Sequence, residues 1–251
     1  MKEETRMKYL APVLFTLLLL SSSSVAFSQE VEKNLITSGR RTRAYYLFVP
    51  KTVKAPAPLV VLLHGSGRNG AIMVDKWKDL AKKEGIILAG PDAADPQQWA
   101  IPVDGPDFLR DLVEELKSKY PINQRRIYLF GHSAGANYAL QLSLVESEYF
   151  AATAIHAGAL HPQSYSMTSF ATRKTPIYII VGTEDEFFPL KAVRATRDEL
   201  NKQGFAVQLT EMAGHDHWYY DLAPKINKDA WEFLRKHELG ADQKYEQYDF
   251  Q

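Results

Sequence analysis

The sequence predicts an α/β fold, a mostly parallel twisted sheet with helices on both faces. Three observations carry that prediction. Short apolar runs rich in β-branched and aromatic residues recur along the chain, helical patterns separate most of them, and the residues with chemical potential sit just after the runs. Alternation of this kind gives a sheet covered on both sides, with ligands handled beyond the carboxyl ends of the strands.

The strand-like runs fall at residues 44–49, 59–63, 86–89, 126–130, 151–155, 177–181 and 206–210. A first helical pattern runs from about residue 71 to 83 and stops at Gly85. The clearest spans 108–120, where Leu109, Leu112, Val113 and Leu116 line one face and Arg110, Asp111, Glu114, Glu115 and Lys117 the other. Pro106 suits its first turn and Pro121 ends it. Another helical run, 137–142, follows the fourth strand closely, and a pattern over 190–202 stops at Gly204, a residue suited to a left-handed cap. The last, 222–237, puts Leu222, Ile226, Ala230, Phe233 and Leu234 on one side.

With 251 residues, 45% of them hydrophobic and 24% charged, the chain is long enough for one sizeable core, and two domains are not required. Residues 1–28 hold three of the 30 basic and two of the 30 acidic side chains, leaving 27 against 28, so there is no electrostatic footprint for nucleic acid. Those 28 residues have a charged start, an apolar run from Tyr9 to Leu20 and a small polar exit, the pattern of a secretory signal peptide. The run is short for a bilayer span, and Ala26 and Ser28 place small residues before a cut ahead of Gln29; an uncleaved anchor is the alternative. The expected organisation is a signal peptide (1–28), a domain (29–240) and a mobile polar C-terminal tail (241–251), with the product exported to a periplasm or outside the cell and not stably inserted in a membrane. Cysteine is absent, which forbids disulfides, thiolate metal sites and a lipid anchor on cysteine, so stability must come from packing.

Four segments that follow strand-like runs bear the chemistry. Gly131-His132-Ser133-Ala134-Gly135 lies between Arg126-Ile127-Tyr128-Leu129-Phe130 and the helical run that begins at Asn137. That is strand, sharp turn and helix with a serine at the apex, the arrangement that projects a hydroxyl clear of the backbone toward a base and oxyanion donors. His64-Gly65-Ser66-Gly67 can aim a backbone N–H outward, and Ser66 together with Ala134 would form a two-donor oxyanion hole. Gly182-Thr183-Glu184-Asp185-Glu186 offers three acids, of which Asp185 is preferred, with Phe187, Phe188 and Pro189 available to bury an inward carboxylate. Gly214-His215-Asp216-His217 offers two histidines as base, and spacing alone does not choose between them. A metal site at these histidines would have Asp216 as its only nearby carboxylate, so neither a metal nor another cofactor is expected. His64, His132, His156 and His161 read as structural or surface residues, because none follows the acid in chain order.

The order serine, acid, histidine is that of α/β-hydrolases. From Arg41 onward, over about two hundred residues, the chain resembles secreted esterases of the polyhydroxybutyrate depolymerase and feruloyl esterase group, and more loosely the esterase D group. The resemblance lies in Arg43-Ala44-Tyr45-Tyr46-Leu47-Phe48-Val49-Pro50, Leu62-Leu63-His64-Gly65-Ser66-Gly67, Asp107-Phe108-Leu109, the Ser133 turn, Gly182-Thr183-Glu184-Asp185 and Asp216-His217-Trp218-Tyr219-Tyr220. It implies an α/β-hydrolase fold with catalytic Ser133, Asp185 and His217, and it is this resemblance that favours His217 over His215. It departs from the group in having neither disulfides nor an appended substrate-binding module.

The expected activity is serine carboxylester hydrolysis on a small-molecule or oligomeric ester. Rival readings are a prolyl oligopeptidase-like peptidase, an acyltransferase, and a non-catalytic binding protein on the same scaffold. Only about twenty residues join the fifth and sixth strands, so no large lid is expected, and Trp99, Phe187, Phe188 and Trp218 would edge an uncovered site.

Overall fold

In a computed structural model of the protein, residues 30–245 are described, so the expected signal peptide lies outside the described residues. Eight strands, β1 (Glu32–Ser38), β2 (Arg41–Phe48), β3 (Ala57–Leu63), β4 (Ile87–Pro91), β5 (Ile122–His132), β6 (Ala152–His156), β7 (Ile177–Gly182) and β8 (Val207–Met212), form one sheet in the order β1-β2-β4-β3-β5-β6-β7-β8. The β1–β2 and β2–β4 pairs are antiparallel, and every pair from β4–β3 to β7–β8 is parallel. Helices α1 (Gly70–Glu84), α2 (Pro106–Lys119), α3 (Ala134–Val145), α4 (Leu190–Lys202) and α5 (Ala223–Leu234) cover the two faces. This is the α/β-hydrolase architecture that the residue order implies.

Side-chain alternation along each strand divides the interior into two cores. All of β3 is buried, yet Leu59, Val61 and Leu63 face a cluster with Leu109 and Leu112 of α2, Leu140 of α3 and Val193 of α4, while Val60 and Leu62 join Met73 and Trp77 of α1 and Ile226 and Ala230 of α5. Asn69 caps α1 by accepting the Ile72 N–H at 3.1 Å, and Gly85 ends that helix in the left-handed conformation at φ 70°.

Two departures from expectation concern the ends. The edge strand β1 has no counterpart among the expected runs, because it pairs on one side only and buries just Ile36 fully, leaving no apolar pattern to read. Residues 241–245 of the expected tail pack on the body: Gln243 Nε2 donates to the Tyr149 carbonyl at 2.9 Å, and the Tyr245 hydroxyl donates to Asp107 beneath the Arg110 guanidinium. Just before it, Leu239 is buried and its N–H donates to the Arg125 carbonyl at 2.9 Å. Between β6 and β7 the chain forms only the short 3-10 segment Pro162–Ser169, with no large lid. No described helix is long and apolar enough to cross a membrane.

Candidate active site

Ser133 sits where β5 turns into α3, and its backbone is held at φ 56°, ψ −117°, a region that side-chain-bearing residues rarely adopt. The flanking glycines make the turn possible by close approach. A Cβ on Gly131 would lie 2.2 Å from the Gly135 carbonyl oxygen, and one on Gly135 would lie 2.2 Å from that of Leu63. Both are far inside contact distance, so the strand and helix meet only because neither residue has a side chain.

The serine hydroxyl lies 3.0 Å from Nε2 of His217. On the other side of that ring, Nδ1 is 3.0 Å from Oδ2 and 3.2 Å from Oδ1 of Asp185. A carboxylate there favours the tautomer with its proton on Nδ1, leaving Nε2 free to accept from the serine. Burial pushes the Asp185 carboxyl pKa up, but the bonds from His217 and from the backbone N–H groups of Phe188 and Phe187 outweigh it, so the group is held below its usual range. The adjacency of β7 and β8 brings the acid loop and the histidine loop together, while β5 lies two strands away. Glu184 and Glu186 are exposed, and it is Asp185 between them that bonds the ring, while His215 turns away to bond His156 at 3.0 Å.

The glycine turn after β3 passes directly beside the serine: a Cβ on Gly65 would be 3.2 Å from the Ser133 Cβ. In that turn Gly67 N donates to Pro96 O and Arg68 N to Gly65 O, leaving the Ser66 N–H without a backbone acceptor among the described residues. Ala134 opens α3, where first-turn amides have no acceptor within the helix. His64 braces the turn from below. Its Nε2 accepts the Ala93 N–H at 3.1 Å, so its Nδ1 carries the proton, which it donates to the Gly65 carbonyl at 2.9 Å.

Three of the four aromatics expected at the rim are there. Phe187 and Phe188 place their rings 4.7 and 5.8 Å from that of His217, and Phe187 is 75% and Trp218 43% exposed. Trp99 instead belongs to the scaffold: its indole N–H donates to the His64 carbonyl at 2.9 Å, and its ring stacks on Tyr138. An open cleft of about 580 Å³ is lined by Glu184, Glu186, Phe187, Asp216, His217 and Trp218. Another, of about 540 Å³ and lined by Lys54, Pro58, Lys83 and Arg126, opens at the opposite ends of the strands, away from Ser133.

Residues 92–235, more than half of the chain, match the model of the Dienelactone hydrolase family. The chain belongs to that family. Relatives of this family member include a bifunctional acetylxylan esterase/xylanase of Neocallimastix patriciarum, 25% identical over 148 residues that make up 57% of this chain and 22% of the relative. A poly(3-hydroxyalkanoate) depolymerase C of Paucimonas lemoignei is 28% identical over 181 residues, 67% of this chain and 42% of the depolymerase. The dienelactone hydrolase family member thus spans less than half the length of either. Among solved structures, a ferulic acid esterase superposes with a TM-score of 0.66 at 15% identity, over 82% of this chain and 97% of the esterase, a likeness of fold.

The main feature that sequence reasoning left out is a row of buried histidines, His132, His156 and His215, behind His217. The register of two strand ends could have pointed to it, since His132 and His156 are partners across β5 and β6.

Proposed function

We propose that this dienelactone hydrolase family member is a secreted serine carboxylesterase. The observation that carries the reading is the Ser133 Oγ to His217 Nε2 distance of 3.0 Å, made from a sharp strand-to-helix turn and backed by Asp185. Ser133 attacks the ester carbonyl as His217 takes its proton, and Asp185 stabilises the imidazolium. The N–H groups of Ser66 and Ala134 receive the oxyanion. The imidazolium returns its proton to the departing alcohol, and water, activated by the same histidine, then releases the acid from the acyl-enzyme.

Both relatives, by name an acetylxylan esterase and a hydroxyalkanoate depolymerase, support action on ester bonds. The uncovered cleft and the rings of Phe187 and Trp218 suit small or oligomeric esters with an aryl, acyl-sugar or hydroxyalkanoate group. Export, read from residues 1–28, belongs to the same proposal. A fluorophosphonate probe tests it: stoichiometric labelling of folded protein that disappears in Ser133→Ala supports a serine nucleophile, and absent labelling of the wild type refutes it. Ser133→Ala is expected to lower p-nitrophenyl acetate turnover by about five to six orders of magnitude.

A further inference from the structure

His132, His156 and His215 are 4%, 0% and 7% exposed and form a continuous row. Nδ1 of His132 lies 3.1 Å from Nδ1 of His156, and Nε2 of His156 lies 3.0 Å from Nε2 of His215. The three come from different segments, the end of β5, the end of β6 and the loop after β8 that carries His217. The ring of His132 is 5.1 Å from that of His217. The row therefore joins the strand that presents Ser133 to the loop that presents its partner.

A neutral imidazole has one donor and one acceptor nitrogen, and each gap between two nitrogens holds one proton. The central ring must then donate on one side and accept on the other, so the row has a direction. Asp216 selects it: its Oδ1 is 3.9 Å from Nδ1 of His215, where an N–H is favoured over a lone pair. His215 accordingly accepts at Nε2 from His156, which accepts at Nδ1 from His132. A further proton on His156 or His215 would face two N–H groups across one gap. A proton on His132 would set a cation against His217 as that ring takes its own. The other titratable groups facing the row are Asp185, Tyr219 and Tyr220, besides Asp216 and His217. Burial, followed by repulsion from His217, lowers the pKa of His132 to about 3, and burial with the neighbouring histidines lowers that of His156.

We propose that His132, His156 and His215 act as a neutral, hydrogen-bonded positioning row that holds the His217 loop against Ser133. A backbone bond from Glu184 N to His215 O at 2.9 Å ties the same loop to the β7 side, and the row supplies the tie to β5 and β6. The proposal rests on the reading of His217 as the base for Ser133.

The test compares His215→Phe, which keeps a ring and loses the bond, with His215→Gln, which keeps a donor and acceptor, in the full chain. The phenylalanine variant should lower kcat for p-nitrophenyl acetate about 10- to 100-fold with KM changed by less than about twofold, the signature of a displaced base. The glutamine variant should recover to within about threefold of wild type. A folded phenylalanine variant with wild-type kcat, or a glutamine variant that falls as far, overturns the proposal. Should the phenylalanine variant not fold, nitrogen-15 imidazole spectra of the wild type decide: at pH 7.5 His132 must carry its proton on Nδ1 and His156 on Nε2, each shared with the next ring, and the reverse tautomers or unshared protons overturn the proposal. Failure of the esterase reading is distinguishable, because Ser133→Ala would then keep its turnover while the row's spectra stay the same.

Discussion

The backbone N–H of Phe188 donates to Oδ1 of Asp185 at 2.9 Å, so the acid that faces His217 is aimed by the residues that follow it. The Phe187 N–H adds a second bond to the same oxygen at 3.0 Å. Asp185→Asn keeps the shape of the side chain but offers His217 an amide that no longer requires a proton on Nδ1. Turnover at pH 7.5 is expected to fall by about three to four orders of magnitude with folding intact, as measured by steady-state kinetics beside circular dichroism.

Acid should unfold this protein through its buried histidines. His132, with its pKa lowered to about 3 from 6.5, and His156, lowered further than an ordinary histidine, are neutral when folded and free to protonate when unfolded. The unfolded state binds more protons below pH 6.5, so stability present above that pH is lost as pH falls toward 3. Two such groups give a slope of about 2 to 3 kcal/mol per pH unit well below pH 6.5. Asp185, whose pKa is also lowered in the fold, adds to the loss only at lower pH, in the carboxylate range. Urea unfolding midpoints that do not drop between pH 7.5 and pH 5 would contradict this.

The serine turn should tolerate no side chain on its helix side. In Gly135→Ala the new Cβ meets the Leu63 carbonyl oxygen at 2.2 Å, and the obstructing atoms are backbone. A loss of about 3 kcal/mol or more is expected, read as a lower denaturant midpoint with an unchanged slope.

Phe187 offers the opposite case. With three quarters of its surface exposed beside His217, its removal should barely touch the fold. Phe187→Ala is expected to keep stability within about 0.5 kcal/mol while raising KM for aryl esters about three- to tenfold. Across acetyl, butyryl and long-chain p-nitrophenyl esters, the wild type should favour the short chains, and a marked preference for long ones would contradict an open cleft.

Much of this was legible because it lies in local pattern. The run before Ser133, the glycines around it and the acid and histidine segments after later strands are all contiguous in sequence. What was not legible depends on which elements meet. His215 and His217 share one loop, and only the adjacency of β7 and β8 turns one toward Asp185 and the other toward His156. Trp99 looks from the chain like a rim aromatic, and its commitment to the His64 carbonyl requires the folded loop. Leu239 and Tyr245 are isolated among polar residues, so their packing against Arg125 and Asp107 leaves no period to detect.

The left-handed backbone at Ser133 sets a trap for protein engineering. Glycine occupies such dihedrals freely, whereas a serine there costs about 1 to 3 kcal/mol. Ser133→Gly should therefore melt higher than the wild type while losing its turnover. A library of this chain screened for heat resistance alone would drift toward glycine at position 133, and its most robust members would be inert.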